Sequence, residues 1–316
     1  MTEQPVHVFV ACTNRKSRKT RPDLRLRSVQ RDFSKRATSW INRIAGVAGE
    51  VPAADLYSGE SWFVARELRR DLDGLCSLWA LSAGFGLVHA DDLLVSYSAT
   101  LSAGHPDSVF RSGDQIDPIR AKRWWWSSLS DWAGPTNGSR QRSIASVAAA
   151  QPDSALAVCV GRAYLDALAD DLARATTHLS DPQRLMVFGS GGCPDPRIAD
   201  SWIQVVAKTR QSVGGSLASL SVRAARHVLE LGQSSALDAC LARSALSTLT
   251  QSLDELPQIR RRRLTDDEIV DWITAEARES PGLTKTTALR RLRDSGRACE
   301  QSRFGDLFAE TVGELG

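Results

Sequence analysis

The first apolar segment of the chain ends in a thiol that is followed by cations. Residues 6–13, VHVFVACT, have the pattern of a buried strand. The polar residues at its end are Cys12, Thr13, Asn14, Arg15 and Lys16. Nearby cations lower the pKa of a thiol, and the thiolate is the nucleophile. The pattern predicts attack by Cys12 on an electrophilic carbon, assisted by Lys16 and Arg15. The alternatives are that Cys12 only fills a tight strand end and that Lys16 contacts a phosphate.

Two later segments supply candidate partners for Cys12. VPAADLYSGESWF (51–63) places Asp55 in a turn ahead of a helix, where it could move protons, hold the edge of a base or only cap that helix. LSAGFGLVHADDLLVSYSATL (81–101) has glycines that allow close backbone approach to a ligand. The candidate substrate-binding residues are Thr13, Asn14, Tyr57, Ser58, Ser82, Gly84, Gly86, Tyr97, Thr100, Gly161 and Gly189.

The elements that must position these residues alternate along the chain. Short apolar segments predict buried strands at 6–13, 77–83, 155–161 and 184–192. Amphipathic segments predict helices at 61–75, 162–175 and 199–210. In the helix at 61–75, Phe63, Leu68, Leu72 and Leu75 are expected on one face. Such alternation predicts an α/β fold with a mainly parallel sheet flanked by helices. All four strands end in small or polar residues, and ligands of such sheets bind at those ends.

Composition and motif spacing exclude several classes of protein. The chain is 42% hydrophobic and 24% charged, which is typical of a globular protein. Six cysteines without a CxxC pair, and His89 and His105 without ligand partners at suitable spacing, predict no metal site, and no cofactor is expected. Gly189–Cys193, GSGGC, is not followed by Lys-Ser/Thr, which argues against an ATPase. No apolar segment approaches the roughly 20 residues of a membrane span, and the N-terminus lacks a signal-peptide pattern. A cytoplasmic protein is expected.

The segment 123–132, RWWWSSLSDW, contains four tryptophans. Consecutive aromatic residues cannot all face one side of a helix. This segment is either an apolar clasp over the core or a platform on which a nucleobase stacks. The sequence leaves both interpretations open.

The C-terminal part of the chain has a different pattern. Residues 214–256 are expected to be helical, and Pro257 with the arginine run after it predicts a linker. We therefore predict domains at 1–256 and 257–316. Thr265 and Glu268 form a capping box for a helix to Glu279, and a second helix starts after Thr284 and stops at Gly296. A third helix closes a small all-α unit that resembles helix-turn-helix or winged-helix modules.

The distribution of charge indicates a polyanionic partner. The net charge is only +3, but residues 1–50 carry eleven Lys and Arg against four Asp and Glu. In the C-terminal unit a basic helix face, with an arginine arm before it, is predicted to bind DNA. These residues are Arg260, Arg261, Arg262, Arg263, Lys285, Arg290, Arg291 and Arg293, with Arg15 in the first domain. The alternatives are solvated surface charge and a helical bundle that docks on protein.

The motifs at 6–101 together resemble a domain family of phages and bacteria whose function is uncharacterised. They are Cys-x-x-x-Lys (Cys12–Lys16), PAxDLYS (52–58), LSAxxGLV (81–88) and YxxTL (97–101). That family is distantly similar to YaaA-like proteins and to a domain of archaeosine synthase. Lys16 is followed by Ser17 and Arg18, so the chain lacks the Lys-Pro-Tyr continuation of archaeosine synthase. The amino-acid-adding reaction of that enzyme is therefore not implied.

The resemblance implies chemistry on 7-deazaguanines, in particular conversion of a nitrile on a 7-deazaguanine base in DNA to an amide. Cys12 would attack the nitrile carbon after the base leaves the DNA stack. The alternatives are a base glycosylase or transferase, with Asp55 as the carboxylate that activates water, and a non-catalytic DNA- or nucleotide-binding component of a phage-defence system. The expected partners are DNA and a nucleobase or nucleotide, with proteins of a modification or defence complex left open.

Overall fold

In the computed structural model, the described residues are 5–29, 31–72, 74–135, 138–232, 237–256 and 261–315. The chain divides into two compact units, Met1–Asp254 and Glu255–Gly316. The first unit has a six-stranded, mostly parallel sheet flanked by helices, and helices make up most of the second. The predicted α/β class is confirmed. No helix in the described ranges is long and apolar enough to cross a membrane.

All four predicted strands are present in the first unit. Its strands are β1 (Val6–Ala11), β2 (Val51–Pro52), β3 (Cys76–Ser82), β4 (Gly86–His89), β5 (Leu93–Leu94), β6 (Ala155–Cys159), β7 (Leu185–Gly189) and β8 (Trp202–Gln204). Strands β2 and β5 form a separate antiparallel pair. The other six form the central sheet in the order β4-β3-β1-β6-β7-β8, and only β4 runs antiparallel to its neighbour.

Strand β1 lies in the middle of this sheet, between β3 and β6. Val6 is in register with Cys76 on one side and with Ala155 on the other. The chain adds β3 and β4 on the first side of β1 and then β6, β7 and β8 on the second. The strand order therefore reverses at β1, and in open parallel sheets such a reversal opens a ligand crevice at the carboxyl ends of the strands.

The helices of the first unit form two packed groups. They are α1 (Phe33–Ala45), α2 (Ala53–Leu56), α3 (Glu60–Asp71), α4 (Pro118–Asp131), α5 (Ile144–Ala150), α6 (Arg162–His178), α7 (Arg210–Val213), α8 (Leu220–Leu231) and α9 (Ala239–Thr250). Helix α3 packs on α8, and α8 packs on α9. Helix α6 packs on α4 and α5, and α4 also contacts α1.

Two details of the helix predictions are wrong. Residues 199–210 are not one helix, because β8 lies inside that segment and adds a sixth strand to the sheet. Phe63 does not belong to the buried face of α3, since its side chain is 53% exposed. Trp62, Val64, Ala65 and Leu68 form that face instead. The prediction of α6 is confirmed, with Leu165, Leu168 and Leu172 in the core.

Three helices lie in the described part of the second unit, and the first two have caps at the predicted residues. They are α10 (Asp266–Glu279), α11 (Lys285–Asp294) and α12 (Gln301–Leu315). Thr265 and Glu268 make the reciprocal capping box, and the Thr284 hydroxyl accepts the Thr287 amide. Gly296 follows α11 with φ 75°. A short parallel pair, β9 (Arg262–Arg263) and β10 (Arg297–Ala298), joins the segment before α10 to the segment between α11 and α12. The predicted linker at Pro257–Arg260 lies outside the described residues.

Candidate functional site

Cys12 lies directly after β1 with its thiol between two phenols. Its Sγ is 3.0 Å from the Tyr164 hydroxyl oxygen and 3.4 Å from that of Tyr97. The Cys12 amide donates to the Leu81 carbonyl at 2.8 Å, which holds the end of β1 against β3. Cys12 is half-buried, in contrast to Cys76 and Cys159, which are buried in the sheet. The Cys12 side chain is thus partly exposed to solvent and has two hydroxyl groups as neighbours.

All three tyrosines of the chain belong to this cluster. The Tyr97 hydroxyl is 3.0 Å from that of Tyr57 and 2.7 Å from that of Ser82. Burial raises the pKa of Tyr57, Tyr97 and Tyr164, and negative charge at Cys12 would raise it further. The phenols therefore stay protonated near neutral pH. A chain of hydroxyl groups leads from Cys12 through Tyr97 into the core.

Lys16 lies against two of these phenols, Tyr57 and Tyr97. Its Nζ is 4.3 Å from the centre of the Tyr97 ring and donates to the Thr13 carbonyl at 3.1 Å. Burial lowers the pKa of Lys16, although negative charge at Cys12 and Asp107 acts in the opposite direction. A partly desolvated ammonium group is a stronger acid than a solvated one. Lys16 is thus equipped both to stabilise an anion and to give up a proton.

Tryptophans and a glycine fix the backbone around Tyr97. The indole N–H groups of Trp40 and Trp125 donate to the carbonyls of Gly84 and Ala83, each at 2.8 Å. A Cβ atom on Gly84 would lie 2.4 Å from the Tyr97 ring, so this position has room only for glycine. Trp124, 36% exposed, packs on Phe33. The tryptophan segment is therefore mainly the clasp over the core rather than a stacking platform.

An ion pair holds the loop that carries Tyr97. The Arg27 guanidinium donates two hydrogen bonds to the Asp107 carboxylate, at 2.9 and 2.7 Å, and the Ser98 hydroxyl donates a third at 2.7 Å. Burial by itself would raise the pKa of Asp107, but these hydrogen bonds and the Arg27 charge lower it to about 2. Asp107 is therefore an anion at neutral pH that ties residues 24–28 to residues 98–107.

Other predicted site residues lie outside the cluster. The Asp55 side chain is 64% exposed and its carboxylate is 3.8 Å from Arg66, so the structure does not bring Asp55 to Cys12. The Thr13 hydroxyl is within 2.7 Å of the Ser58 carbonyl and joins the two loops. Asn14 and Arg15 are exposed. None of these residues makes a hydrogen bond to the Cys12 thiol in the described part of the chain.

The remaining predicted residues shape loops. Gly86 has φ 74°, and a Cβ on Gly189 would lie 2.4 Å from Trp202. The Thr100 hydroxyl accepts the Ser102 amide at 3.2 Å. Gly161 is the N-cap of α6 and lines the crevice described next.

A crevice of about 310 Å³ opens at the carboxyl ends of β1 and β6, where the strand order reverses. Its lining comes from the ends of β1, β6 and β7, from the start of α3 and from the segment that leads into α8. The lining residues are Val10, Ala11, Ser61, Cys159, Val160, Gly161, Ser190, Val205, Ala207, Leu217, Ala218, Leu220, Ser221 and Val222. It is thus an aliphatic crevice with a few serines. Cys12 follows the lining residue Ala11 in the chain but is not itself among the lining residues.

Sequence reasoning missed Tyr164, the residue whose side chain comes nearest to the Cys12 thiol. Tyr164 lies in the first turn of α6, three residues after the predicted strand end at Gly161. Two features of the sequence could have pointed to Tyr164 as a site residue: it lies close to a predicted strand end, and the chain has only three tyrosines. The described residues contain no group of three or more His, Cys, Asp or Glu side chains arranged to hold a metal ion.

In the second unit, the predicted basic residues separate into two sets. A concavity of about 260 Å³ is lined by Arg261, Lys285, Arg290 and Arg293, together with Thr286, Leu289, Asp294 and Gln301. Arg291 instead pairs with Glu276 at 2.9 Å, and Arg262 pairs with Glu268 at 2.8 Å. Arg263 is exposed, and Arg260 lies outside the described residues. Four of the predicted basic residues therefore lie around one concavity beside α11.

Comparisons with known proteins assign neither a family nor a function to the chain. No family model, no curated protein and no solved structure gives a significant match to the chain.

Proposed function

We propose that the first unit is an enzyme of DNA base modification that uses Cys12 as its nucleophile. The proposed substrate is a 7-deazaguanine base carrying a nitrile, which is converted to the amide. One observation carries the proposal: the Cys12 thiol lies 3.0 Å from the Tyr164 phenol at the end of the central strand. A half-buried thiol with a proton donor at this distance suits covalent catalysis.

The reaction balances without an oxidant, a reductant or a metal. The Cys12 thiolate adds to the nitrile carbon, and the nitrile nitrogen takes one proton, which gives a thioimidate. Water then adds to the thioimidate carbon, and one of its two protons passes to the nitrogen. The tetrahedral intermediate expels the thiolate and leaves the amide, and the remaining hydroxyl proton returns to the group that protonated the nitrile nitrogen. The net change is the addition of one water molecule to the nitrile.

The neighbours of Cys12 supply what each step needs. Tyr164 is protonated at neutral pH, because burial raises its pKa, and can donate a hydrogen bond to the thiolate. Lys16 places positive charge beside the phenols, and its lowered pKa favours transfer of a proton toward the nitrogen. Asp55 has no part in this mechanism, since its exposed carboxylate faces Arg66.

The proposal includes a route for holding DNA. Lys285 and Arg290 are exposed, line the concavity of the second unit and have no ion-pair partner among the residues that the structure describes. Unpaired cations grouped in this way bind the phosphates of a nucleic-acid backbone, with little dependence on sequence. We therefore propose duplex DNA as the partner of the second unit.

A second candidate function is a base- or nucleotide-binding component without turnover, as in a defence system. It is favoured by the crevice at the strand ends, which can hold a ligand whether or not the thiol reacts.

The deciding experiment treats DNA containing 7-cyano-7-deazaguanine with the full chain and analyses the nucleosides by mass spectrometry. Conversion of the nitrile to the amide, lost in Cys12→Ser and kept in Cys240→Ser, is expected. Cys240 is the matched control because it is an exposed thiol on α9. An unchanged base would contradict the enzyme and leave the binding function. Full conversion by Cys12→Ser would contradict the thiol mechanism.

A further inference from the structure

The crevice at the ends of β1 and β6 has a lining unlike that of a phosphate site. None of the lining residues that the structure describes is charged, and most of the side chains are aliphatic. Burying a phosphate there without a paired cation would carry a large desolvation cost. The occupant that suits this lining is a neutral molecule with apolar faces.

The volume of the crevice limits the size of the occupant. A volume of about 310 Å³ lies at the lower end of the range for small-molecule pockets and suits a ligand the size of one bicyclic nucleobase. Since none of the described lining residues is charged, the crevice favours the base itself, with its sugar and phosphate left outside.

The polar groups of the crevice match the edge of such a ring. Ser190 and Ser221 are lining residues, and no hydrogen bond of their hydroxyl groups is present among the described residues. Gly161 is the N-cap of α6 and Leu220 is the first residue of α8, and both line the crevice. The partial positive charge at a helix start favours a ring carbonyl. Val160 and Val205 supply aliphatic contacts for the ring faces.

We infer that this crevice is the base-binding subsite: it takes one uncharged bicyclic nucleobase, without its sugar and phosphate, at the ends of β1 and β6. The inference rests on the proposed function for the identity of the base. Ala11 lines the crevice and Cys12 follows it, while Gly161 lines it and Tyr164 follows three residues later. The same two strand ends thus carry both the subsite and the thiol–phenol pair.

Gly161 offers a direct way to fill the subsite. A Cβ atom at Gly161 would meet nothing within 4 Å, and its φ of −89° is open to any residue. Gly161→Leu therefore adds bulk at a lining position from a Cβ that fits without strain. Gly46 is the matched control, because its φ is −82° at the end of α1 and a Cβ there makes only contacts of 3.9 Å or longer. It is not among the lining residues of the crevice.

The test measures binding in the full chain with Cys12→Ser, so that no covalent capture occurs. The probes are free 7-cyano-7-deazaguanine and guanosine 5′-monophosphate, titrated by calorimetry. We expect the free base to bind at least tenfold more tightly than the monophosphate. Gly161→Leu should weaken binding of the base at least tenfold, and Gly46→Leu should leave it unchanged. Far-ultraviolet circular dichroism verifies that both variants fold, and Ala218→Leu, at an exposed rim position, is the second filling variant.

The outcomes separate the subsite from the proposed reaction. Equal affinity for base and monophosphate, or full affinity in both filling variants, would overturn the subsite. If the base binds as expected but the wild-type chain converts no nitrile, the subsite stands and the enzyme fails. If the wild-type chain converts the nitrile and Gly161→Leu keeps its KM, the enzyme stands and the subsite fails.

Discussion

The Cys12 thiol and the Tyr164 hydroxyl meet at 3.0 Å although 152 residues separate them in the chain. Cys12 follows β1, and Tyr164 lies in the first turn of the helix after β6. Their contact therefore spans the boundary at which the strand order of the sheet reverses. We expect the reactivity of the thiol to depend on this phenol, because a phenol that keeps its proton can donate a hydrogen bond to the thiolate.

Tyr164→Phe is expected to slow alkylation of Cys12 by iodoacetamide. Loss of one hydrogen bond to the thiolate costs about 1 kcal/mol, which corresponds to about a fivefold lower rate. Peptide mass spectrometry at a fixed pH measures the rate at each cysteine separately. Cys240 on α9 is the internal control and should react equally in both proteins. An unchanged or faster rate at Cys12 would show that Tyr164 does not stabilise the thiolate.

Gly84→Ala is expected to destabilise the first unit by about 1–3 kcal/mol, as overpacking of a filled core does. Its Cβ would lie 2.4 Å from the Tyr97 ring, and that ring is fully buried between Trp40 and Phe85. Tyr97 must then move away from Cys12 and Lys16. Urea unfolding followed by tryptophan fluorescence measures the loss. Gly161→Ala, where a Cβ meets open space, should leave the unfolding free energy nearly unchanged.

The sheet could be predicted because its strands are short apolar segments buried on both faces. Such segments at 77–83 and 155–161 stand out from the amphipathic helices on either side of them. Strand β8 could not be predicted in this way, since three residues are too few to show a period. The three-helix second unit was visible because its caps, Thr265 and Thr284, are local signals.

The candidate site could be predicted only in part. Cys12, Lys16, Tyr57, Ser82 and Tyr97 do meet, since parallel strand ends gather at one edge of a sheet. Asp55 does not join them, because a turn residue can point to solvent as easily as inward. The Trp40 contact with the Gly84 carbonyl joins residues 44 positions apart, and no local pattern reports such a partner.

Asp107→Asn is expected to make the free energy of unfolding depend less on pH between 4 and 2. The pKa of Asp107 is about 2 in the folded chain, below its ordinary value of 3.8. A lowered carboxyl pKa contributes stability above pH 4 that is lost as the pH falls toward 2. The wild type should therefore lose about 2 kcal/mol over this range that Asp107→Asn does not lose. Urea unfolding at several pH values measures the difference.

Asp55→Asn is the matched control for this pH series. Its ion pair with Arg66 is long and exposed, and such pairs contribute little to stability. It should follow the wild type at every pH. A curve for Asp107→Asn that runs parallel to the wild type would show that the Arg27–Asp107 pair does not carry the acid dependence.

Arg290→Ala and Arg291→Ala are expected to differ in DNA binding although they are neighbours on α11. Arg290 lines the basic concavity, whereas Arg291 pairs with Glu276 at 2.9 Å and with the Ser280 hydroxyl at 3.1 Å. If the concavity holds a phosphate, Arg290→Ala weakens binding of the full chain to a labelled duplex and lowers the slope of log K against log salt by about 1. Arg291→Ala removes the same charge and should keep the wild-type slope. Equal losses in both variants would mean that net charge, and not the concavity, attracts the DNA.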